Sequence, residues 1–333
     1  MSAGLSIVAF VLGAGVSLAT SWLLVTRLER VGGRLGFSEA VLGMVAALAA
    51  DAPEVTASVT ALSHHQQTVG AGVVIGSNVF NLAALLGLGA LVAGHIGLHR
   101  RVVLLGGAIA VVISGICLLA VAGVLSPAVA LAASLAVLVS YVALLAAHRS
   151  ILRRLHVPRR WSSWLRLAIA EEEIELEVAI HPRRGTGRDV VAAVGALVVV
   201  VAASVAMERG ASSLGHRYGI AQIVVGGLIL AAVTSLPNAV AAVYLARRGR
   251  GAAALSTALN SNTINVVAGL LIPSTVIGLV RPSASGYVIT GWYLGLTVMT
   301  LGLAYAGRGL RRVSGSVILG AYVVFVAVLL AIS

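Results

Sequence analysis

The sequence predicts an all-α membrane protein of ten transmembrane helices, arranged as two inverted five-helix repeats. Three observations carry this expectation. The 333 residues are 59% hydrophobic and only 10% charged, with a mean hydropathy of +1.04, whereas a soluble domain carries roughly a quarter charged residues. The basic residues gather in alternate loops. A pair of polar motifs recurs with one spacing in both halves of the chain.

A helix needs about 20 mainly apolar residues to span a bilayer. Ten stretches qualify: about 4–25, 38–62, 70–94, 102–124, 126–147, 190–208, 219–246, 252–279, 286–306 and 314–332. In lipid their backbones must satisfy their own hydrogen bonds, which makes them helices. The alternating short segments of a membrane barrel are absent. The first stretch is long enough to be a retained span rather than a signal peptide.

All 23 basic residues are Arg. With ten spans, 20 of the 23 fall in one set of alternate loops, and only Arg209, Arg217 and Arg281 in the other. Positive charge marks the cytoplasmic side, so both termini are expected outside, with the chain multi-pass in a cell membrane. The net charge of +12 then reflects topology rather than nucleic-acid binding. The bilayer and small inorganic cations are the expected partners. One long cytoplasmic loop, 148–189, divides a first half, 1–147, from a second, 190–333. It holds Trp161, Trp164 and the acidic run Glu171, Glu172, Glu173, Glu175 and Glu177 between Arg clusters, read as a self-neutralising surface segment without EF-hand spacing. Cys117, the single cysteine, is expected to be a small buried hydrophobe. Gly13 and Gly15 are expected to be close-approach positions between helices, and His64 and His65 a solvated pair where span 2 emerges.

The repeat is read from polar residues inside apolar spans. Span 2 begins Gly36-Phe37-Ser38-Glu39-Ala40-Val41-Leu42-Gly43; span 7 begins Gly219-Ile220-Ala221-Gln222-Ile223-Val224-Val225-Gly226. Asp51-Ala52-Pro53-Glu54 is followed by Gly76-Ser77-Asn78-Val79-Phe80-Asn81. Ser235-Leu236-Pro237-Asn238 is followed by Asn260-Ser261-Asn262-Thr263-Ile264-Asn265. Pro53 to Ser77 and Pro237 to Ser261 are both 24 residues apart. Five spans separate the copies, so the halves face opposite ways, and such repeats place a substrate site near the midplane on helices broken by Pro or Gly. Pro53 and Pro237 are these helix breakers; each frees the carbonyl four residues earlier. Freed carbonyls and nearby Ser, Thr and Asn oxygens are hard ligands suited to sodium or calcium.

Of eleven acidic residues, only Asp51 and Glu54 lie deep in a span; Glu39 and Glu208 sit near span ends. A charge at mid-membrane costs about 2.5–3.5 kcal/mol or more and marks function. Asp51 and Glu54, three apart, share a helix face, and no Arg lies inside any span to neutralise them. They are the expected metal ligands, for calcium or sodium. Ser77, Asn81, Ser261 and Asn265 join them as candidate cation-binding residues, although small polar residues also bind membrane helices together.

These residues resemble the sodium/calcium exchangers of the calcium/cation antiporter superfamily. The likeness covers two alpha repeats, about 36–95 and 219–279. The family pattern is a Gly-Thr-Ser-x-Pro-Glu helix followed by a Gly-Ser-Asn-x-Phe-Asn/Asp helix, twice. Pro53, Glu54, Ser77 and Asn81 match in the first repeat; Thr234, Ser235, Pro237 and Ser261 match in the second. Ala50 and Asp51 replace Thr and Ser, Asn238 replaces the second acidic residue, and Asn265 stands where Asp is frequent. The resemblance implies an exchanger fold, alternating access, and a cation site of Asp51, Glu54, Ser77, Asn81, Thr234, Ser235, Asn238, Ser261 and Asn265. The family's calcium site draws a carboxylate from each repeat, whereas here both come from the first.

The expected function is therefore secondary antiport of calcium or a related cation against sodium or protons, with a monovalent cation/proton exchanger on the same fold, or a non-transporting membrane receptor or scaffold, as the alternatives. No enzyme activity and no cofactor beyond the transported cations are expected. An intramembrane hydrolase needs a nucleophile and base within reach, and the His residues lie near span ends or in loops. A receptor or scaffold would tolerate loss of both carboxylates. The chain has no nucleotide-binding loop for ATP-driven pumping.

Overall fold

The computed structural model describes residues 1–35, 47–146, 185–249, 251–279 and 283–333, together with Leu167. The start of span 2 with Gly36, Gly43 and Glu39, nearly all of the 148–189 loop with its Trp pair and acidic run, Arg250 and Arg281 lie outside the described residues.

Long apolar stretches form long helices. These are α1 (Ala3–Leu35), α2 (Ala52–Ser63), α3 (Gln67–Ala93), α4 (Arg100–Val121), α5 (Pro127–Ala146), α6 (Gly187–Tyr218), α7 (Gln222–Thr234), α8 (Leu236–Arg247), α9 (Ala253–Ile277), α10 (Ala284–Gly307) and α11 (Arg312–Ala331). Among the described residues, seven helices are long and apolar enough to cross a membrane, and α7 with α8, bent by 45° between Thr234 and Leu236, makes an eighth. The chain is thus a multi-pass integral membrane protein.

Three features depart from expectation. First, α1 and α6 run well past the apolar stretches. Arg27, Arg30 and Arg34 lie on α1 and Arg209 and Arg217 on α6, rather than in loops. At one end of this pair Asp189, three residues after the N-cap Thr186, receives Arg27 Nη1 at 2.7 Å and Arg30 Nη1 at 3.4 Å. Along its length Ser17 and Ser204 hydroxyls meet at 2.7 Å. A Cβ on Gly13 would lie 2.7 Å from Ala203 O, so Gly13 is a close-approach position, whereas Gly15 faces open space and is not. Second, the chain is not wholly α: His95–Gly97 (β1) pairs antiparallel with Gly309–Arg311 (β2). Positive φ at Gly94 (82°) and Arg308 (49°) turns the chain out of α3 and α10, and the pairing satisfies backbone groups of the two loops. Third, the α3, α7 and α9 helices widen into π-helix at Leu82–Leu88, Val225–Leu230 and Asn265–Leu271. Such stretches concentrate at functional sites.

The two halves meet at a glycine crossing. A Cβ on Gly72 would lie 3.0 Å from Gly227 N; one on Gly76 would fall on the Gly227 backbone, and one on Gly226 on the Val69 backbone. Here α3 and α7 touch backbone to backbone. Gly76→Ala is expected to force them apart at a cost of about 1–3 kcal/mol, read as a lower thermal midpoint of the purified protein in detergent; an unchanged midpoint would refute the contact. Cys117 is fully buried, as expected.

Candidate cation site

The break at Pro53 positions the first carboxylates. Asp51 caps α2, Pro53 occupies its first turn, and Glu54 follows. Pro53 leaves the Ala49 carbonyl without an amide donor. That carbonyl accepts the Ser21 hydroxyl of α1 at 3.2 Å. The freed carbonyl thus has a donor on α1, and its second lone pair is still available to an ion. In the second half the same break puts Ser235 before α8, with Pro237 in its first turn and Asn238 next.

The structure buries every one of the expected residues. Asp51, Glu54, Ser77, Asn81, Thr234, Ser235, Asn238, Ser261 and Asn265 are each at most 2% exposed. Ser235 Oγ donates to Glu54 Oε1 at 2.8 Å. Asn238 Nδ2 donates to Asp51 Oδ1 at 2.7 Å, as does Ser261 Oγ at 2.6 Å. Aligning the proline motifs pairs Asp51 with Ser235 and Glu54 with Asn238, so the Asp51–Asn238 and Glu54–Ser235 bonds occupy equivalent places. In both of them the first repeat supplies the acceptor and the second the donor. Among the described residues the only ion pairs are those of Asp189 with Arg27 and Arg30, so no cation of the protein's own pairs with Asp51 or Glu54.

Several of the expected residues also donate hydrogen bonds of their own. Thr234 Oγ1 bonds back to Leu230 O at 2.9 Å, the usual local bond of a helical Thr. Ser77 Oγ reaches toward Ala231 O at 3.5 Å, spanning the glycine crossing. Asn81 Nδ2 donates to Ser261 Oγ and to Asn262 Oδ1, both at 3.1 Å. Asn265 Nδ2 donates to Asn78 Oδ1 at 3.2 Å.

Four oxygens in this cluster are buried and without any hydrogen-bond partner: Asp51 Oδ2, Glu54 Oε2, Asn81 Oδ1 and Asn265 Oδ1. Buried polar atoms are almost always paired, and an exception calls for an explanation. Carboxylate and amide oxygens are hard donors of the kind calcium and sodium take.

Sequence reasoning misses Asn78 and Asn262, whose side chains bridge the halves; their recurrence at one motif position is the available signal. It also misses Ser21, which nothing marks apart from other helix-packing serines. Glu208, expected near a span end, is buried and accepts Ser212 Oγ at 2.7 Å. His64 is exposed, as expected, and its ring contacts Thr60 O at 2.8 Å and Arg209 Nη2 at 3.2 Å.

Residues 5–148 and 189–331 match the sodium/calcium exchanger protein family. Sodium/potassium/calcium exchanger 2 of Homo sapiens is 30% identical over 142 residues, 40% of this chain and 22% of the human protein. The putative antiporter CaxA of Alkalimonas amylolytica is 28% identical over 153 residues, 45% of this chain and 48% of that protein. The chain thus aligns with less than half the length of either relative. The crystal structure of the H+/Ca2+ exchanger CAX superposes with a TM-score of 0.71 at 14% identity, over 98% of this chain and 82% of that one. The sodium-calcium exchanger NCX_Mj, soaked with 10 mM Na+ and zero Ca2+, superposes at 0.57 with 20% identity, over 98% and 99%. At these identities the structural likeness establishes the fold. With that fold over nearly its whole length and the family match across both halves, the chain belongs to the sodium/calcium exchanger protein family.

Proposed function

We propose that the protein is a secondary antiporter that exchanges calcium or a related cation for sodium or protons, by alternating access at a site near the membrane midplane. Asp51 and Glu54 carry the charge, and Asn81 and Asn265 complete the donor set. Ser235, Asn238 and Ser261 hold the carboxylates from the second repeat. Ser77 and Thr234 are the remaining members, the first at the glycine crossing and the second on its own helix. The single observation that carries this reading is the set of four unpartnered buried oxygens, two of them on carboxylates that no basic residue among the described residues neutralises. An isolated buried charge is too costly to keep without a counter-ion, and an exchanged cation supplies one.

The reading includes ten spans in two inverted halves, 1–147 and 190–333, joined by a cytoplasmic 148–189 loop, with both termini outside in the cell membrane. Inverted halves are supported by cross-repeat bonds that occur in equivalent pairs. The named exchange activities of the human relative and of the two solved exchangers point the same way. A second reading, a monovalent cation/proton exchanger, is favoured by one observation: the second repeat brings neutral Ser235 and Asn238 to the carboxylates and no acid of its own.

Flux in proteoliposomes decides between them. Calcium uptake driven by an outward sodium or proton gradient is expected, and uptake should stop when the gradient is collapsed. Sodium–proton exchange with no calcium movement would favour the second reading, and no flux of any cation would refute both.

A further inference from the structure

The bridge between α3 and α9 contains two residues outside the proposed ion ligands, Asn78 and Asn262, which are 0% and 1% exposed. Their side chains cross. Asn78 Nδ2 donates to the backbone carbonyl of Asn262 at 3.1 Å, and Asn262 Nδ2 donates to the backbone carbonyl of Asn78 at 3.1 Å. The residues lie 184 apart, the separation of Pro53 and Pro237, so each amide meets its own repeat-mate across the pseudo-symmetric junction. The remaining oxygens act crosswise as well. Asn78 Oδ1 accepts Asn265 Nδ2 at 3.2 Å, and Asn262 Oδ1 accepts Asn81 Nδ2 at 3.1 Å.

This arrangement sets the direction of two other amides. An Asn side chain has a donor end and an acceptor end. With Nδ2 of Asn265 held by Asn78 and Nδ2 of Asn81 held by Asn262, the opposite ends, Asn265 Oδ1 and Asn81 Oδ1, are the ones left buried and unpartnered. Rotation of either amide would present an N–H where a cation needs an oxygen. Both π-helix stretches begin just past this junction, at Leu82 and Asn265. Asn78 O accepts from the Asn262 side chain as well as from Leu82 N.

We propose that Asn78 and Asn262 are positioning residues for cation binding: the crossed pair orients the site asparagine of the opposite repeat with its oxygen toward the ion. Asn78 acts through Asn265, and Asn262 acts through Asn81. The inference rests on the proposed cation site.

Double-mutant cycles on cation affinity test it, with calcium and sodium as probes of binding to the purified protein and of half-saturation in proteoliposome flux. Asn78→Ala is expected to weaken affinity by about tenfold, the coupling typical of contacting residues, with the maximal rate changed less. In an Asn265→Asp background, where no amide remains to orient, the same substitution should have little further effect; in an Asn81→Asp background it should keep its full effect. Asn262→Ala should show the reverse pattern, non-additive with Asn81→Asp and additive with Asn265→Asp. A purely structural role predicts no such crossing. Asn78→Ser and Asn262→Ser, smaller changes in polarity, replace the alanine variants if those fail to insert. Additive effects in all four cycles, with wild-type binding intact, would overturn the positioning role alone. A wild-type protein that binds neither cation would overturn both this role and the cation site.

Discussion

Glu54→Gln is expected to yield a folded, inserted protein that moves no cation. Glu54 Oε1 accepts the Ser235 hydroxyl at 2.8 Å, and a Gln carbonyl oxygen keeps that bond. What changes is the other end. Oε2, buried and unpartnered, becomes an NH2 group that repels a cation, and one of two site charges disappears. Changing groups that merely support metal ligands already costs about 10–100-fold, so loss of a charged ligand should lower exchange by at least about 100-fold. The contrast with stability is part of the prediction, since a buried uncompensated charge is removed and the cross-repeat bond survives. The check is gradient-driven flux together with a thermal midpoint. Wild-type flux in the variant would remove Glu54 from the site.

Exchange by the wild-type protein is expected to be electroneutral. Asp51 and Glu54 are the only carboxylates among the donors, and a joint charge of −2 balances one divalent ion, two sodium ions or two protons. A third monovalent ion would leave excess charge inside the membrane at a cost of several kilocalories. Asn265→Asp adds a third charge through an oxygen that already lacks a partner. It should raise preference for calcium over sodium by about tenfold or more, because a nearby charge attracts a divalent ion twice as strongly as a monovalent one. It should also make turnover sensitive to membrane potential. Asn238→Glu adds charge too, but it replaces the donor that Asp51 Oδ1 receives at 2.7 Å with a second carboxylate; a smaller gain and a less stable protein are expected. Vesicle transport at clamped potential measures both. A turnover-linked current in the wild-type protein would mean that more charge moves than two carboxylates hold.

The features of this architecture that are written as composition are legible in the amino-acid sequence. Asp51 and Glu54 stand out because charge is expensive in an apolar span, and the 24-residue spacing of Pro53–Ser77 and Pro237–Ser261 shows that two motifs are copies. Spacing does not say which faces of two copies meet. For that reason the crossing of Asn78 with Asn262 and the matched bonds Asp51–Asn238 and Glu54–Ser235 emerge only in three dimensions. The fate of the Ala49 carbonyl is hidden for a related reason: Pro53 announces that a carbonyl is freed, but the hydroxyl that donates to it, Ser21, lies on another helix with no pattern around it. The π stretches leave hydropathy unchanged, since they add a residue per turn without altering its polarity. The ends of α1 and α6 escape a hydropathy reading because hydropathy measures where lipid ends, whereas a helix continues as long as its backbone bonds and pairs such as Arg27–Asp189 sustain it.

In the proposed site the four unpartnered oxygens hold the transported cation. Anomalous diffraction from crystals of the protein soaked in strontium, a calcium analogue, locates the ion directly. One dominant peak is expected in contact with Asp51 Oδ2 and Glu54 Oε2, at or slightly beyond the calcium–oxygen range of about 2.3–2.6 Å because strontium is the larger ion, with the side-chain oxygens of Asn81 and Asn265 completing the shell, and no peak there in Glu54→Gln. A dominant peak elsewhere, or one at this site that survives Glu54→Gln unchanged, would contradict it.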